Sequence, residues 1–341
     1  MNEPLAPFLE SLPEGLRAPA FGAWIDPVSA CPRAILTHAH ADHAAAGHGE
    51  VWATAETIAL YRRRNPDWNG IARPLGYGER ASGEGAELTL LSAGHVLGSA
   101  QVRIETGGGS LLYTGDFKLR ASRTAAPAVA APASVLVTET TFGLPVFRFP
   151  GREALEARLV AACRETLAAG ETPVVLAYAL GKAQEAAAVL TEAGIPTVLH
   201  GAAWKLLPEF EAAGHAFPIS RPYDSGPVRD GEALLAPPSC SRTEMIRKRK
   251  RRRVIYLSGW AVREASRSEL DADVLIPWSD HADFDDLLRH VESVGPERVF
   301  TLHGFAADFA WILESRGVAA APLADREERV AIPDSETSAS P

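Results

Sequence analysis

The chain has 341 residues, of which 46% are hydrophobic and 23% are charged, and its formal net charge at pH 7 is −9. This composition is typical of a folded globular protein and excludes a disordered or collagen-like chain. No stretch approaches the roughly 20 apolar residues that a membrane helix needs, and no secretory leader is recognisable, so we expect a cytoplasmic protein without membrane contact. The length suggests two domains, or one domain with a large insertion.

The cysteines and the charge distribution further restrict the class of protein. The three cysteines are an odd number without CxxC spacing, which indicates neither a disulfide framework nor a thiolate zinc site. The acidic net charge argues against a generic nucleic-acid binder, yet residues 247–253 form an unbroken run of lysine and arginine. This run is either a phosphate-facing surface or a solvated loop that favours solubility.

Apolar runs in the first 140 residues predict a strand-rich segment. Runs bounded by glycine, serine and threonine are typical of strands buried in a core. The predicted strands cover 33–40, 87–93, 101–106, 110–116 and 134–140.

Beyond Pro150 the pattern changes to alternating helices and strands, which predicts βαβ units around a parallel sheet. Helices that each end in glycine are predicted over 151–170, 181–194 and 202–214. Strands are predicted over 173–179 and 195–200, with three more between 233 and 277. A helix over 284–295, a strand over 297–304 and a helix over 308–317 follow, and the polar tail from Asp334 is predicted to be flexible.

The strongest chemical signal is the segment HAHADH at 38–43, directly after a predicted strand. Alternate residues of an extended segment point the same way, so His38 and His40 can face one metal ion while the turn lets Asp42 and His43 face a second. Imidazole and carboxylate at this density suit zinc or manganese better than magnesium. The alternative is a solvated polar turn.

Two further candidates lie at the ends of predicted strands. His95 lies in the segment GHVLGS, and Asp116 ends the run LLYTGD. Burying an isolated carboxylate is costly, so Asp116 needs a partner that a dimetal site supplies. Asp26, in AWIDP, either supports the metal ligands from behind or starts a turn before Pro27.

The order HxHxDH, then GHxxGS, then the aspartate of TGD resembles the metal-binding motifs of the metallo-β-lactamase fold hydrolases. This resemblance implies an αββα sandwich with two divalent metal ions, zinc or manganese, at one edge of its sheets. It also implies that His38, His40 and His95 bind one ion, that Asp42 and His43 bind the other, and that Asp116 bridges them.

Later motifs are similar to those of the β-CASP branch of nucleases in this fold. They are Glu139 and Thr140 in SVLVTET, His281 in SDHAD and His303 in LHG. The branch has a Rossmann-like domain inserted in the sandwich, which implies an α/β chain with a sandwich over 1–148, an inserted β-CASP domain over 149–277, a return segment over 278–333 and a tail over 334–341. His303 would then be the remaining ligand of the second metal.

The short chain is most similar to bacterial ligase-associated DNA exonucleases of this branch. That similarity implies cleavage of single-stranded or end-resected DNA during repair, with an ATP-dependent DNA ligase and a helicase as partners, and it favours attack from a 5′ end. In such a reaction Asp42 would orient the attacking hydroxide. His281 would act as general acid, and Glu139 would hold its imidazole in the required tautomer. A salt bridge between domains is the alternative for His281 and Glu139.

Residues of the predicted inserted domain are candidates for substrate contact. Lys182 begins a predicted helix, and Ser258 and Gly259 precede Trp260, so a helix amino terminus and backbone N–H groups can contact phosphate there. Trp260 and Trp278 can stack on exposed bases, although a lone tryptophan is more often packed in a core. With the resemblance, the basic run becomes a candidate surface for the nucleic-acid backbone, with contacts from Arg247, Lys248, Arg249, Lys250 and Arg251.

Three other functions stay open at the level of sequence. An RNA-processing nuclease would use the same active-site residues, because the scissile phosphate is the same in both nucleic acids. A small-molecule hydrolase on the same sandwich would not need the inserted domain or the later motifs. A catalytically dead scaffold should have lost metal ligands, and none of the expected ligands is missing.

Overall fold

The computed structural model of the chain describes residues 5–12 and 15–323. These residues divide into two units. The first contains the described residues up to Val146 and those from His281 onward, and the second contains Phe147–Asp280. The domain limits 1–148, 149–277 and 278–333 stay predictions beside these unit limits, and the predicted tail, 334–341, lies outside the described residues.

The first unit begins with a six-stranded sheet whose strands follow one another in chain order. Its strands are β1 (Glu10–Leu12), β2 (Gly15–Ala18), β3 (Ala23–Ile25), β4 (Arg33–Ile35), β5 (Glu50–Ala53) and β6 (Ile71–Pro74). β1 to β3 are antiparallel, and β3 to β6 are parallel. Helix α1 (Ala55–Arg64) connects β5 to β6, and the Thr54 side chain caps its first turn.

A seven-stranded sheet forms the second half of this unit, in the order β19-β18-β11-β10-β9-β8-β7. Its strands are β7 (Arg80–Ser82), β8 (Ala86–Ser92), β9 (Ala100–Thr106), β10 (Gly109–Tyr113), β11 (Val135–Glu139), β18 (Arg298–Leu302) and β19 (Ala320–Pro322). Helices α8 (Phe284–Val294) and α9 (Ala306–Ser315) accompany the last two strands.

Apolar side chains alternate between the two faces of this second sheet, as the period of a strand requires. Leu111 and Val137 belong to a buried cluster shared with Ile35 of the first sheet, whereas Leu112 clusters with Phe284 of α8. A third cluster joins α1 to the outer face of the first sheet. The layers therefore run helix, sheet, sheet, helix, and the predicted αββα sandwich is confirmed.

The pairing of three parallel strands places the later motifs at one edge of the sandwich. Tyr113 of β10 is level with Val137 of β11, and Glu139 of β11 is level with Leu302 of β18. Parallel strands end at the same edge, so Asp116, Glu139 and His303 all come at or just after carboxyl ends that lie side by side.

The second unit is a parallel α/β sheet in the order β14-β13-β15-β12-β16-β17. Its strands are β12 (Thr172–Leu176), β13 (Thr197–Leu199), β14 (Ser220–Pro222), β15 (Ala233–Ala236), β16 (Arg252–Leu257) and β17 (Val274–Ile276). Its helices are α2 (Arg152–Ala168), α3 (Lys182–Glu192), α4 (Gly201–Trp204), α5 (Leu207–Ala212), α6 (Glu244–Arg247) and α7 (Ala265–Leu270). This unit matches the predicted Rossmann-like class. Within 5–12 and 15–323, no helix has the length and apolar character to cross a bilayer.

Two predicted elements differ from those in the structure. The helix predicted over 202–214 is wrong as a single element, because α4 ends at Trp204 and α5 begins at Leu207. Pro208 has no N–H to donate, and its ring clashes with the carbonyl four residues earlier, so one continuous helix is not stable there. The strand predicted over 33–40 stops at Ile35, because Asp26 takes over the backbone N–H of Thr37.

His290 on α8 makes the fold sensitive to acid. Its side chain is buried, its ring packs on Phe117 with the centroids 4.5 Å apart, and neither ring nitrogen has a hydrogen-bond partner in the described chain. Burial lowers the pKa of His290 to about 4, whereas an unfolded histidine titrates near 6.5. The unfolded state therefore binds more protons between these two values, so stability falls as pH falls through this window.

We expect His290→Leu to reduce this acid sensitivity. Between pH 7 and pH 5, the free energy of unfolding of the unsubstituted protein should fall by about 2 kcal/mol more than that of the variant. Urea unfolding at both pH values, with a chelator present, measures the difference. The same pH dependence in both proteins would contradict the assignment.

Candidate metal centre

The first histidine loop begins where Asp26 anchors the chain. Asp26 adopts the left-handed conformation, with φ 44°, and its side chain is buried. Its Oδ1 accepts a hydrogen bond from the Thr37 backbone N–H at 2.8 Å, and its Oδ2 accepts one from Thr37 Oγ1 at 2.6 Å. Oδ2 also lies 2.9 Å from His43 Nδ1 and accepts a bond from the Tyr113 hydroxyl at 3.3 Å. Asp26 therefore fixes both ends of the loop that carries the ligands.

Three imidazoles converge on one point at the sheet edge. His40 Nδ1 lies 3.1 Å from His38 Nε2 and 3.0 Å from His95 Nε2. Asp116 Oδ2 lies 3.5 Å from His38 Nε2 and 3.6 Å from His95 Nε2. Ligands at 2.0–2.1 Å around a tetrahedral zinc ion stand about 3.3 Å apart. The spacing and the chemistry of these four groups therefore fit one metal ion.

The other oxygen of Asp116 faces the second half of the site. Asp116 Oδ1 lies 3.5 Å from His43 Nε2, and because His43 Nδ1 bonds to Asp26, Nε2 is the nitrogen directed to this side. One carboxylate thus offers an oxygen to each group of histidines, which is the geometry of a bridging ligand. The structure brings the predicted bridge and four of the predicted histidine ligands together.

Two predicted ligands lie at the margin of the cluster. Asp42 Oδ2 is 3.9 Å from His43 Nε2, and the Asp42 side chain is 73% exposed. The His303 ring lies 5.5 Å from the ring of His43, centroid to centroid. Neither residue belongs to the groups of potential ligands whose donor atoms lie within 4.8 Å of one another in the described chain. Their roles as ligands stay predictions.

Buried Glu139 and partly exposed His281 form an acid–base pair beside Asp116. His281 Nδ1 lies 3.1 Å and 3.0 Å from the two carboxylate oxygens of Glu139, and 3.9 Å from Asp116 Oδ2. Glu139 Oε1 also accepts a bond from the Phe117 backbone N–H at 2.8 Å. Both residues belong to the first unit, so the alternative of a salt bridge between domains is wrong.

Burial and neighbouring charges shift the pKa values of His38 and His43 in opposite directions. Burial, together with the surrounding imidazoles, holds the pKa of His38 well below its usual range, so His38 stays neutral, as a metal ligand must. Burial also opposes the charged form of His43, but Asp116, Asp42 and Asp26 raise its pKa well above the usual value. A positive imidazolium at His43 stands where the second metal would place its charge.

The carboxylates respond to the same environment. Burial raises the pKa of Asp116, partly offset by His43 and His281. Burial acts in the same direction on Glu139, but His281 outweighs it and lowers the pKa of Glu139. Protein atoms crowd Asp42, which raises its pKa, but its side chain is largely exposed to solvent, and the nearby imidazoles of His43 and His40 lower the pKa to about 2. Glu139 is therefore ionised and can accept a hydrogen bond from His281.

Sequence reasoning missed several groups that position the ligands. The Arg64 guanidinium, on α1, donates to the carbonyl of Ala39, and the Tyr61 hydroxyl donates to the carbonyl of Ala45 at 3.0 Å. Helix α1 therefore clamps the histidine loop at two points. Only the position of α1 next to this loop in the chain hinted at such contacts.

The loop of His95 is shaped by its own serine and glycine. Ser99 Oγ accepts bonds from the backbone N–H groups of His95 and Val96 at 3.1 and 3.2 Å. Gly94 has φ +76°, and a Cβ there would stand 2.2 Å from the carbonyl oxygen of Lys118. No side chain fits at position 94, so this turn needs a glycine. The serine is needed for its two hydrogen bonds to the backbone of the loop.

A charge network holds the segment that follows His281. The Arg120 guanidinium pairs with the buried carboxylate of Asp283, and its Nε lies 3.5 Å from Asp286 Oδ2. Asp283 also caps α8 by accepting the Asp286 backbone N–H at 2.9 Å. The loop after Asp116 therefore fixes the start of α8, and with it the position of His281.

The structure corrects part of the predicted substrate surface. The Lys182 side chain is buried, with Nζ 3.1 Å from Asp280 Oδ2 and 4.7 Å from the centre of the Tyr178 ring. The ammonium of Lys182 is therefore paired inside the second unit. The phosphate contact predicted at Lys182 uses the amino terminus of α3 and its backbone N–H groups, and it stays a prediction. Trp278 is also buried, and its indole donates to Glu185 at 2.9 Å, so base stacking by Trp278 is wrong.

The segment of Ser258, Gly259 and Trp260 follows β16 as a short 3-10 turn. Ser258 and Gly259 are buried, and Ser258 Oγ accepts the Trp260 backbone N–H at 3.3 Å. The Trp260 ring is partly exposed and packs edge-on against Phe147, with centroids 5.4 Å apart. Substrate contact by these residues stays a prediction.

The basic run spans the end of α6, a loop and the start of β16. Arg247, Lys248, Lys250 and Arg251 are exposed, and Arg249 is half-buried. Lys248 Nζ lies 2.5 Å from Glu244 Oε2, and Arg251 Nη2 donates to the Ala169 carbonyl at 2.6 Å. Arg252 donates to the Arg249 carbonyl at 2.9 Å, and Arg253 donates to Glu165 at 3.1 Å. Most of the positive charge faces solvent.

We expect Asp26→Asn to weaken metal binding while the loop keeps its shape. The amide preserves the size of the side chain but removes the charge that His43 Nδ1 faces. Loss of such supporting groups costs about 10–100-fold in metal affinity. Competition with a chromogenic chelator measures the affinity, with Asp308→Asn, an exposed aspartate of α9, as the matched control. Equal affinities in both variants would show that Asp26 only shapes a turn.

An αββα sandwich with clustered histidines and an aspartate at its sheet edge is the architecture of the metallo-β-lactamase fold proteins. The fold is shared with a solved structure from Enterococcus faecalis V583, described as a protein of unknown function. That match has a TM-score of 0.60 and 14% identity, and it covers 86% of this chain and 79% of the other. No family model matches the chain.

Two curated relatives place the chain more narrowly. It is 41% identical over 309 residues to "Probable DNA ligase" of Opitutus terrae, covering 90% of this chain and 30% of that protein. It is 38% identical over 111 residues to "RNase J-like protein" of Methanocaldococcus jannaschii, covering 32% of this chain and 26% of that protein. The chain thus spans about a third or less of each relative. Its homologues include a β-CASP family nuclease, which supports the predicted branch.

Proposed function

We propose that this protein is a metal-dependent nuclease that hydrolyses phosphodiester bonds, and specifically a DNA exonuclease acting on single-stranded or end-resected DNA in repair. The observation that carries the proposal is the position of Asp116. Its two oxygens face two groups of imidazoles, and the Glu139–His281 pair lies beside it. Such a centre suits in-line displacement at phosphorus.

The chain supplies distinct groups for each part of the reaction. Two bound zinc or manganese ions would lower the pKa of a water molecule and stabilise negative charge on the phosphate. His38, His40, His95 and Asp116 would hold one ion, and Asp42, His43, His303 and Asp116 the other. Asp42 would also orient the attacking water.

His281 is placed to protonate the leaving oxygen. The ionised carboxylate of Glu139 faces Nδ1 and keeps a proton on that nitrogen. When the ring is protonated, the second proton is on Nε2, and this is the proton that His281 would give to the leaving oxygen. Glu139 also stabilises the charged form of the ring. An acid–base group in this position contributes about 10²–10⁴-fold to a rate.

The relative named "Probable DNA ligase" supports DNA as the substrate. A segment 41% identical to this chain makes up 30% of that protein. By its name, the rest of the same polypeptide would hold the ligase. Physical linkage to a ligase favours a task at DNA ends, with an ATP-dependent DNA ligase as a partner of this chain. A helicase partner and attack from a 5′ end complete the proposal.

The second candidate is an RNA-processing nuclease of the same branch. The relative named "RNase J-like protein" favours it. The active-site groups treat the phosphate alike in both nucleic acids, since the 2′-OH is read by other contacts.

One experiment separates these activities. Single-stranded DNA and RNA of the same sequence, labelled in turn at each end, are incubated with the protein and manganese or zinc. Stepwise release of short products from DNA supports the exonuclease, and the label that leaves first gives the polarity. Internal cuts in RNA with intact DNA would move the protein to RNA processing. No cleavage of either substrate would favour a small-molecule hydrolase.

The basic run provides a second test, on binding. We expect replacement of Arg247, Lys248 and Lys250 by glutamine to weaken single-stranded DNA binding for all sequences alike. Each lost phosphate contact should reduce the slope of log K against log salt by about 0.7. Fluorescence anisotropy at several salt concentrations measures this slope. The matched control replaces exposed Arg158, Lys205 and Arg229 of the same unit, and equal slopes in both variants would assign the run to solubility.

A further inference from the structure

The turn that carries His303 is held in an uncommon backbone conformation. His303 and Gly304 follow β18 with φ values of +61° and +58°, so two successive residues are left-handed. Residues with a side chain rarely adopt this conformation, and they keep it only where neighbouring groups enforce it. The neighbours of this turn are therefore decisive for the direction of the imidazole.

Thr140 supplies those neighbouring contacts. Its buried hydroxyl reaches the carbonyl of His303 at 2.5 Å and that of Leu302 at 3.1 Å, and its own carbonyl accepts the Phe305 backbone N–H at 3.0 Å. One residue therefore binds the turn before and after Gly304. These bonds extend the parallel pairing of β11 with β18 by one residue beyond Glu139.

Gly304 makes the contact as close as backbone allows. A Cβ at this position would stand 2.5 Å from Thr141 Cα and 2.6 Å from the Thr140 carbonyl oxygen. The turn is thus pressed against the backbone of 140–141, and it cannot rotate without breaking the bonds of Thr140.

The same strand end also serves His281. Thr141 Oγ1 donates to Glu139 Oε2 at 2.5 Å, and Glu139 faces His281 Nδ1. The end of β11 therefore holds two histidines that come much later in the chain. Glu139 contacts the side chain of His281, and Thr140 binds the backbone turn of His303.

We propose that Thr140 is a positioning residue that aims His303 at the second metal ion. The inference rests on the proposed function, in which His303 completes the site of His43 and Asp42. The hydroxyl of Thr140 acts on the metal only through the backbone of His303. Loss of this hydroxyl should therefore lower the affinity for the second ion and leave unchanged the affinity for the ion held by His38, His40 and His95.

Metal binding in the absence of nucleic acid tests the proposal. Thr140→Val removes the hydroxyl and keeps the shape, and Thr140→Ser restores it. Isothermal titration of metal-free protein with Mn²⁺ or Zn²⁺ should show two ions for the unsubstituted protein and for Thr140→Ser. For Thr140→Val the weaker ion should bind about 10–100-fold less tightly, as it should for His303→Ala. Thr166→Val, which removes another buried hydroxyl in the second unit, serves as the control.

The outcomes are distinct from those of the nuclease assay. Two ions bound to Thr140→Val with unchanged affinity would overturn the proposal, whatever its melting temperature. A serine variant that behaves like valine would overturn it too, and so would an unsubstituted protein that binds a single ion. If Thr140→Val does not fold, as judged by circular dichroism, Thr140→Ala takes its place. A protein that binds two ions but cleaves no nucleic acid would refute the proposed function and leave this inference standing.

Discussion

Replacing Asp116 with asparagine should abolish nuclease activity and remove bound metal. The substitution removes the negative charge that faces both groups of imidazoles. It also replaces one carboxylate oxygen with an NH2 group, which has no lone pair to offer a metal ion. Metal ions contribute several kcal/mol to such a reaction, so a loss of about 4 kcal/mol corresponds to a rate about a thousandfold lower. Metal analysis and single-turnover cleavage of labelled DNA measure the two effects.

The metal-free form of this variant gives an independent readout. Burial raises the pKa of Asp116, so without metal its negative charge is disfavoured in the fold. The same charge favours the imidazolium of His43. The two effects oppose each other, so we expect metal-free Asp116→Asn to stay folded and to melt close to the temperature of the unsubstituted protein. Asp67→Asn, at an exposed position of the same unit, should change neither activity nor metal content. Retained activity in Asp116→Asn would refute the bridging role.

Replacing His281 with alanine should slow cleavage and leave both metal ions bound. Removal of a general acid costs about 10²–10⁴-fold in kcat. Substrate affinity should change little, because the lost proton transfer occurs only in the transition state. Glu139→Gln should lower kcat in the same direction, since it removes the charge that orients His281 Nδ1. Steady-state kinetics and metal analysis of each variant measure these effects.

Metal content decides between the two roles open to His281. Asp116, Glu139 and His281 lie close enough together to hold an ion themselves. Loss of a bound ion in His281→Ala would therefore identify the histidine as a ligand and not as an acid. His215→Ala, in the second unit, is the control for a histidine outside the proposed ligand set.

The cluster of histidines around Asp116 was predictable because the spacing of its members is local. His38, His40 and His43 lie within six residues after one strand, and His95 and Asp116 lie in turns directly after buried strands. The βαβ pattern of the second unit was predictable for a similar reason. Its strands and most of its helices are long enough for their apolar pattern to be recognised in the sequence. Pro208, which divides one predicted helix, was visible in the sequence but was outweighed by the apolar residues around it.

The supporting contacts were not predictable, because they join segments far apart in the chain. No spacing rule connects Arg120 with Asp283, or Thr140 with the carbonyl of His303. The burial of Lys182 likewise depends on Asp280, which comes almost a hundred residues later. Strands of three or four residues, such as β1 and β3, are too short to show an alternation at all.

The insertion of Phe147–Asp280 within the first unit has a consequence for how the protein is made. His281 and His303 leave the ribosome only after that whole segment, while the ligands up to Asp116 have already emerged. At roughly 5–20 residues per second, the wait is on the order of ten seconds. During synthesis the nascent chain thus carries a site that still lacks His281 and His303. If the protein is the proposed nuclease, its activity on nucleic acid is withheld until His281 and His303 have been translated.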